Sequence, residues 1–304
     1  LYSENNDYKY WATLSLNNKY FNSSTELNKK TSDGYGINRL VIQNTYNDLS
    51  ITQNVKFNFL NNIKFDISGR YYVHDTEDYN YVNKKRDKYY DKQLVFNSIY
   101  NSQNDKYRFN LHWNNDVYDK FTVLEEINDQ ERMRSSHRLN LVNSNLLYQL
   151  NENLQFLLGS EYYDEEFFSP YDLSINAGYL GEDTLRNSDI TSIYFQTNYN
   201  KNKNFHLVTG IRYDNSKLFG NHLGPHISIL YKKDKHNFRF NSSNNFKSPT
   251  LKELYMSWDH LGMFYINGSE NLKPETSKYF SLSYEYLTNQ YNITLKPYIH
   301  MLQN

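Results

Sequence analysis

Six times along this chain, two segments that alternate apolar and polar side chains with a period of two are joined by a short polar turn. Period two is strand periodicity, so each unit reads as an antiparallel hairpin with one apolar and one polar face. In the first, Val55, Phe57 and Phe59 precede Leu60-Asn61-Asn62, and Ile63, Phe65 and Ile67 follow on the same face. Lys56, Asn58, Lys64 and Asp66 lie between them. The second sets Leu94, Phe96 and Tyr100 against Tyr107, Phe109, Leu111 and Trp113, and the third sets Leu146, Tyr148 and Leu150 against Leu154, Phe156 and Leu158. The fourth joins Ile193, Phe195 and Tyr199 to Phe205, Leu207 and Ile211, and the fifth joins Ile227, Ile229 and Tyr231 to Phe238 and Phe240. The sixth joins Phe280, Leu282, Tyr284 and Tyr286 to Tyr291, Ile293 and Leu295. Less regular strands are expected over 8–16 and 37–46.

The connections alternate too. Turns of about three to six residues are followed by long polar segments at 74–92, 114–137, 163–189 and 244–278, and only 215–224 is short on that side. Short turns at one end and long loops at the other are the rhythm of a transmembrane barrel. Aromatic residues flank the short turns (Phe59, Tyr100, Tyr107, Tyr199, Phe205, Tyr231, Tyr286, Tyr291), where an interfacial girdle would lie. A soluble β-sandwich or solenoid shares the alternation, because it also buries one face of each strand. It gives no reason for the repeated short and long connections. The predicted fold is therefore all-β, a transmembrane antiparallel β-barrel, here partial, with roughly 12–14 strands of about 9–11 residues each.

Composition supports this reading where the argument needs it. The mean hydropathy of -0.86 alone suggests disorder, yet 31 Tyr and 18 Phe supply ring surface that disordered chains lack. With 33 basic and 34 acidic residues the overall field favours no nucleic acid. The absence of cysteine excludes disulfides and thiolate metal sites. No apolar run approaches the roughly 18 residues of a spanning helix, and residues 1–10 lack the basic and apolar regions of a signal peptide. Opening on Leu1, the chain is expected to be a fragment lacking strands at both ends.

Residues 246–275, reading FKSPTLKELYMSWDHLGMFYINGSENLKPE, break the alternation. Pro249, Gly262, Gly268 and Pro274 punctuate a connection that also carries charges, rings and a histidine, so it reads as a long outer loop with a role of its own. Phe246-Lys247-Ser248-Pro249, continued by Leu251-Lys252-Glu253-Leu254-Tyr255, forms one box. Ser269-Glu270-Asn271-Leu272, continued by Lys273-Pro274-Glu275 into a tyrosine-rich strand, forms another. The pair resembles the boxes of TonB-dependent outer-membrane receptors, and more narrowly the heme-receptor branch, in which a histidine lies between them as His260 does here. The matching positions are Phe246, Pro249, Leu251, Glu253, Leu254, Asn271, Leu272, Pro274 and Glu275, whereas Lys247, Ser248, Ser269 and Glu270 depart from the pattern. The likeness is sharpest over 245–286.

That resemblance implies a place in the outer membrane of a Gram-negative bacterium, within a large barrel normally closed by a plug that precedes it in sequence and is not visible in this chain. It implies a TonB energy-coupling complex acting through that plug, an iron-containing cargo, most specifically heme, and a surface lipoprotein as a further partner. No prosthetic group is implied; heme or a ferric chelate is transported, and no bond is made or broken. A ferric siderophore or cobalamin is the alternative cargo. A passive porin, an adhesin or a barrel enzyme is the alternative of another class, although no nucleophile spacing stands out.

Heme iron is held by His, Met or Tyr. The loop offers Tyr255, Met256, His260, Met263 and Tyr265, with His260 the leading metal ligand, and Trp258, Phe264 and Tyr265 offer flat contact to a porphyrin. An exposed loop histidine among packing aromatics is the competing reading of His260. His112, His206 and His226 fall on the polar parity of their strands. His74, beside Asp75, Glu77 and Asp78, reads as solvated charge more readily than as a cation site.

Overall fold

Along one side of a single antiparallel sheet run the apolar residues of all six hairpins, and along the other run the polar ones. A computed structural model describes residues 6–37, 40–78, 85–124, 131–169, 185–259 and 265–303. The strands begin with β1 (Asp7–Asn17), β2 (Phe21–Ser32), β3 (Tyr35–Ile37), β4 (Leu40–Gln43), β5 (Thr45–Leu60), β6 (Ile63–Asp78) and β7 (Lys85–Asn101). They continue with β8 (Tyr107–Leu124), β9 (Glu131–Asn151), β10 (Leu154–Phe168), β11 (Leu185–Asn202), β12 (Phe205–Ser216), β13 (Gly220–Lys233) and β14 (His236–Lys247). Helix α1 (Leu251–Tyr255), β15 (Ser257–Asp259) and β16 (Tyr265–Asn267) precede β17 (Glu275–Leu287), β18 (Asn292–Leu295) and β19 (Tyr298–Gln303).

The main sheet has 15 strands in meander order, β1-β2-β5 through β14-β17-β18, with β19 also on β17. β18 and β19 are two pieces of one edge, broken around Pro297. That residue has no N–H for the ladder, although its carbonyl still accepts from Leu282 N at 3.1 Å. The predicted registers hold: Phe57 faces Phe65, Phe96 faces Trp113, Leu158 faces Leu146, Phe195 faces Ile211, Tyr231 faces Phe238 and Tyr286 faces Ile293. Outward rings stack toward the short-turn end, Tyr107 on Tyr148 at 4.9 Å and Phe156 on Phe195 at 5.8 Å between centroids. Such cross-strand pairs contribute about 0.2–1 kcal/mol each.

Three expectations are corrected. The strands are longer than predicted, reaching 21 residues in β9 and 18 in β8. Much of the presumed loops at 74–92, 114–137 and 163–189 is therefore ladder. Charged and amide side chains are frequent on both faces of these extensions and apolar ones such as Phe121 and Phe167 are scattered, so the alternation fades while the backbone hydrogen bonds continue. β2 was not anticipated, because FNSSTELNKKTS carries almost no apolar period. It pairs along its whole length with β1 and β5, and Gln53 Nε2 of β5 donates to Ser23 Oγ at 2.8 Å. The strand expected over 37–46 is instead the small β3–β4 hairpin and the start of β5.

The distribution of burial is inverted relative to a soluble domain. Leu158, Ile193 and Phe195 are 51%, 56% and 42% exposed, whereas Ser192, Asp214 and Asn237 are buried. Apolar outside and polar inside is the arrangement of a barrel wall between lipid and an aqueous lumen. No helix among the described residues is long and apolar enough to cross a membrane. The small β3–β4 and β15–β16 hairpins both fall in connections at the long-loop end.

Candidate functional site

The stretch after β14 does not stand away from the sheet; it folds inward over the polar wall. Thr250 starts α1 with a capping box. Its Oγ1 accepts from Glu253 N at 3.2 Å, and its own N–H donates to Glu253 Oε2 at 2.8 Å. The backbone donor at Thr250, then its hydroxyl, holds the Glu253 carboxyl below the usual carboxylate range.

Leu251 and Leu254, three apart and so on one helix face, are 1% and 2% exposed. They pack on Phe167 of β10, with Phe219 and Tyr255 beside them. This is the apolar core among the described residues, and it sits where the loop meets the wall. Two cations rest on its rings, Lys252 Nζ 5.8 Å from the Phe167 centroid and Arg186 4.5 Å over Tyr255.

The chain then returns behind the helix. Gly268 N donates to Met256 O at 2.7 Å and Ser269 N to Glu253 O at 3.0 Å. β15 and β16 pair Trp258 with Ile266, and Lys247 opposite Glu275 closes the loop. A cleft of about 200 Å³ lies between residues 247–249 and Leu272, Lys273 and Glu275, with Glu253 at its side. The two boxes, 20 and more residues apart in sequence, thus meet in space. Asn271 and Leu272 are exposed, and Asn271 N donates to Ser269 Oγ at 3.4 Å.

Beneath the loop the polar wall is cross-linked. Arg212 Nη2 donates to Glu161 Oε1 at 2.6 Å and to Ser192 Oγ at 2.8 Å, while Arg212 Nε donates to Asp214 Oδ1 at 2.7 Å. Ser192 Oγ also donates to Asp214 at 2.6 Å, and Asn143 Nδ2 to Glu161 Oε2 at 3.1 Å. Clefts of about 440 and 420 Å³ open on either side of this group, both edged by Phe246. Phe246 stacks on His222 at 4.8 Å, and His222 Nε2 is buried without a hydrogen-bond partner. Such a wall offers hydrogen bonds and charge rather than covalent chemistry, since Ser192 is held between Arg212 and Asp214.

The proposed ligand contacts are only partly brought together. Tyr255 ends α1 and Met256 caps it, Trp258 lies in β15, and Tyr265 begins β16. His260, Met263 and Phe264 lie outside the described residues. Sequence reasoning did not single out Arg212, Glu161, Asp214 or Arg186; their only signal was charge at polar parity in strands. Among the other histidines, His112 meets Asn97 at 2.6 Å and His206 meets Asn200 at 2.7 Å. His74 faces Asp48 across the ladder, whereas neighbouring Asp75 points to the other face and pairs with Arg86. The apparent His74–Asp75 cluster is therefore split by the pleat.

Comparison with known proteins fits this geometry. A family model described as TonB dependent receptor-like, beta-barrel, matches residues 2–298. The chain is similar in structure to the ferric enterobactin receptor PfeA of Pseudomonas aeruginosa, with 12% identity and a TM-score of 0.74 over 97% of this chain and 50% of that one. It is also similar to the siderophore receptor PirA of Pseudomonas aeruginosa, with 13% identity and a TM-score of 0.70 over 95% of this chain and 51% of that one. A third likeness is to the FrpB iron transporter of Neisseria meningitidis, with 11% identity and a TM-score of 0.72 over 97% and 52%. No curated protein matches by sequence. The chain spans about half the length of these receptors.

Proposed function

The chain belongs to the TonB-dependent receptor β-barrel family, and on that premise we propose that residues 1–304 form one stretch of the barrel of an outer-membrane active transporter for a ferric chelate. The transporter is coupled to the TonB complex of a Gram-negative cell through a plug carried elsewhere in the protein, and a surface lipoprotein is a further candidate partner. The observation that carries this reading is the inward fold of residues 248–256 over a charged, hydrogen-bonding wall. An entering chelate meets fixed donors and acceptors there, edged by Phe246 and His222. Arg212, Glu161 and Asp214 hold the wall in register, and α1 narrows the passage above them.

Within that class a ferric siderophore is favoured over heme. The structurally similar receptors are named for siderophores or iron, and the described wall is polar rather than a flat apolar slot. Heme would be served by His260 and Met263, with Tyr255, Met256, Trp258 and Tyr265 around them. The test is iron uptake by cells whose only chelate receptor is the full-length protein, with and without TonB. The expected result is saturable, TonB-dependent uptake from a ferric siderophore that exceeds uptake from hemin. Equal uptake without TonB would support a passive channel instead. Hemin-only uptake that falls with His260→Ala would restore the heme reading.

A further inference from the structure

The short turns of the wall are not alike in charge. The turn from β11 to β12 carries Lys201 and Lys203, and the turn from β13 to β14 carries Lys232, Lys233 and Lys235 around a single acid, Asp234. These two turns lie side by side: Phe205 pairs with Tyr231, and Lys232 N donates to Asn204 O at 2.7 Å. Elsewhere on this rim charge is sparse or balanced. Asn61 and Asn62 fill one turn, Asp105 precedes Lys106 in the next, Glu152 stands between two asparagines in another, and residues 288–290 are neutral. Lys19, the cation of the first turn, rests over the Tyr20 ring at 4.6 Å.

Among the described residues, none of the five ammoniums on the two neighbouring turns takes part in a hydrogen bond or ion pair, and all but Lys232 belong to exposed residues. Asp234 sits at a φ of 54°, the left-handed turn position that Asp and Asn tolerate, so its place follows from backbone shape rather than from charge. Solvation alone accounts for one lysine on a turn. It gives no reason to gather five, whose like charges repel. On the lipid face, next to these turns, stand Tyr199, Phe205, Tyr231 and Phe238, with Tyr231 and Phe238 45% and 47% exposed. Lysine stems lie along such rings while their ammoniums reach the headgroup level, where phosphodiesters are the complementary groups.

We propose that these two turns form a binding site for an anionic phospholipid of the periplasmic leaflet. Lys201, Lys203, Lys233 and Lys235 meet its phosphates, and its acyl chains run past Tyr231 and Phe238. The surplus of cations over one acid favours a headgroup with two phosphodiesters, as in a cardiolipin, over one with a single phosphodiester. A zwitterionic headgroup is disfavoured because it brings its own ammonium to the lysines. The site rests on the seat of the barrel in the membrane and not on its cargo.

The test is native mass spectrometry of the full-length receptor in detergent, titrated with cardiolipin, phosphatidylglycerol and phosphatidylethanolamine. Affinity is expected to fall in that order, and cardiolipin binding is expected to weaken as salt rises. In Lys201→Gln/Lys203→Gln/Lys233→Gln/Lys235→Gln the cardiolipin affinity is expected to drop about tenfold or more, whereas Lys19→Gln/Lys106→Gln leaves it unchanged. Asp234→Asn keeps a residue suited to the turn and removes only the opposing charge, so it is expected to bind cardiolipin more tightly, a gain that misfolding does not produce. Equal affinity of the wild type for the three lipids, no drop in the fourfold variant, an equal drop in the Lys19/Lys106 control, or no gain in Asp234→Asn overturns the site. Poly-glutamate that displaces cardiolipin at equal concentration overturns the lipid assignment and gives the turns to an acidic periplasmic partner. Cardiolipin binding as expected in a receptor that imports no chelate overturns the iron-uptake reading and leaves the site standing.

Discussion

Gly268 lies directly behind Glu253, and a Cβ on it would stand 2.9 Å from the Glu253 carbonyl oxygen and the same distance from that of Leu254. The obstruction is backbone, so no side chain can step aside. Gly268→Ala is expected to push β16 off the helix and lengthen the hydrogen bond to Met256 O. Limited proteolysis of the full-length receptor should then cut near 268 much faster than in the wild type. Unaltered cleavage would show that the return segment is not held by this approach.

Leu254 anchors the loop. Leu254→Ala removes a side chain that is 2% exposed, a change that costs about 2–5 kcal/mol in a well-packed site. The loss should stay local, because Leu254 lies in α1 outside the sheet ladders and Phe167 keeps its ladder partners on β9 and β11. Hydrogen exchange is expected to speed up in α1 and stay constant in β10 and β11. Uniform acceleration across the strands would contradict local docking.

The capping box sets a pH dependence. The folded-state pKa of Glu253 lies below its ordinary value of 4.5. Its contribution to holding α1 is thus complete above about that value and is lost as pH falls through the depressed folded value. Protection of the Thr250 and Glu253 amides, corrected for intrinsic exchange, should fall across that acidic window. In Glu253→Gln the step should vanish. A step at higher pH would assign the titration to another group.

Adjacent positions on β11 test the orientation of the wall. Phe195 lies on the apolar face, while Gln196 lies on the polar face, where its Nε2 donates to Asn198 at 2.9 Å. Phe195→Arg places a cation against lipid, at a cost of about 2–4 kcal/mol near the midplane, and Gln196→Arg does not. Urea unfolding of the receptor in bilayers should separate the two variants by that amount, with Phe195→Arg the weaker. The reverse order would turn the sheet inside out.

What was legible in sequence follows the physics of each signal. The six hairpins were readable because lipid demands an apolar residue at every second position, as at Phe57 and Phe65 or Phe195 and Ile211. β2 was not, because Thr25, Gln53 and Ser23 satisfy one another without any apolar period. The long outer loop was readable from Pro249 and Pro274, but its inward direction depends on contacts with Phe167 and Arg186, more than 60 residues upstream. Glu161, Arg212 and Asp214 looked like ordinary wet positions; only the ladder aligns them into a network.

The length of the strands has a further consequence. At about 3.3 Å per residue the 21 residues of β9 run roughly 70 Å, and even tilted they rise about twice the height of the apolar band they must cross. The excess makes a parapet. In the transporter proposed above, a molecule drifting over the cell would meet this rim of polar wall before it met the membrane. Capture there would become a descent along one axis, with each wall contact met in turn.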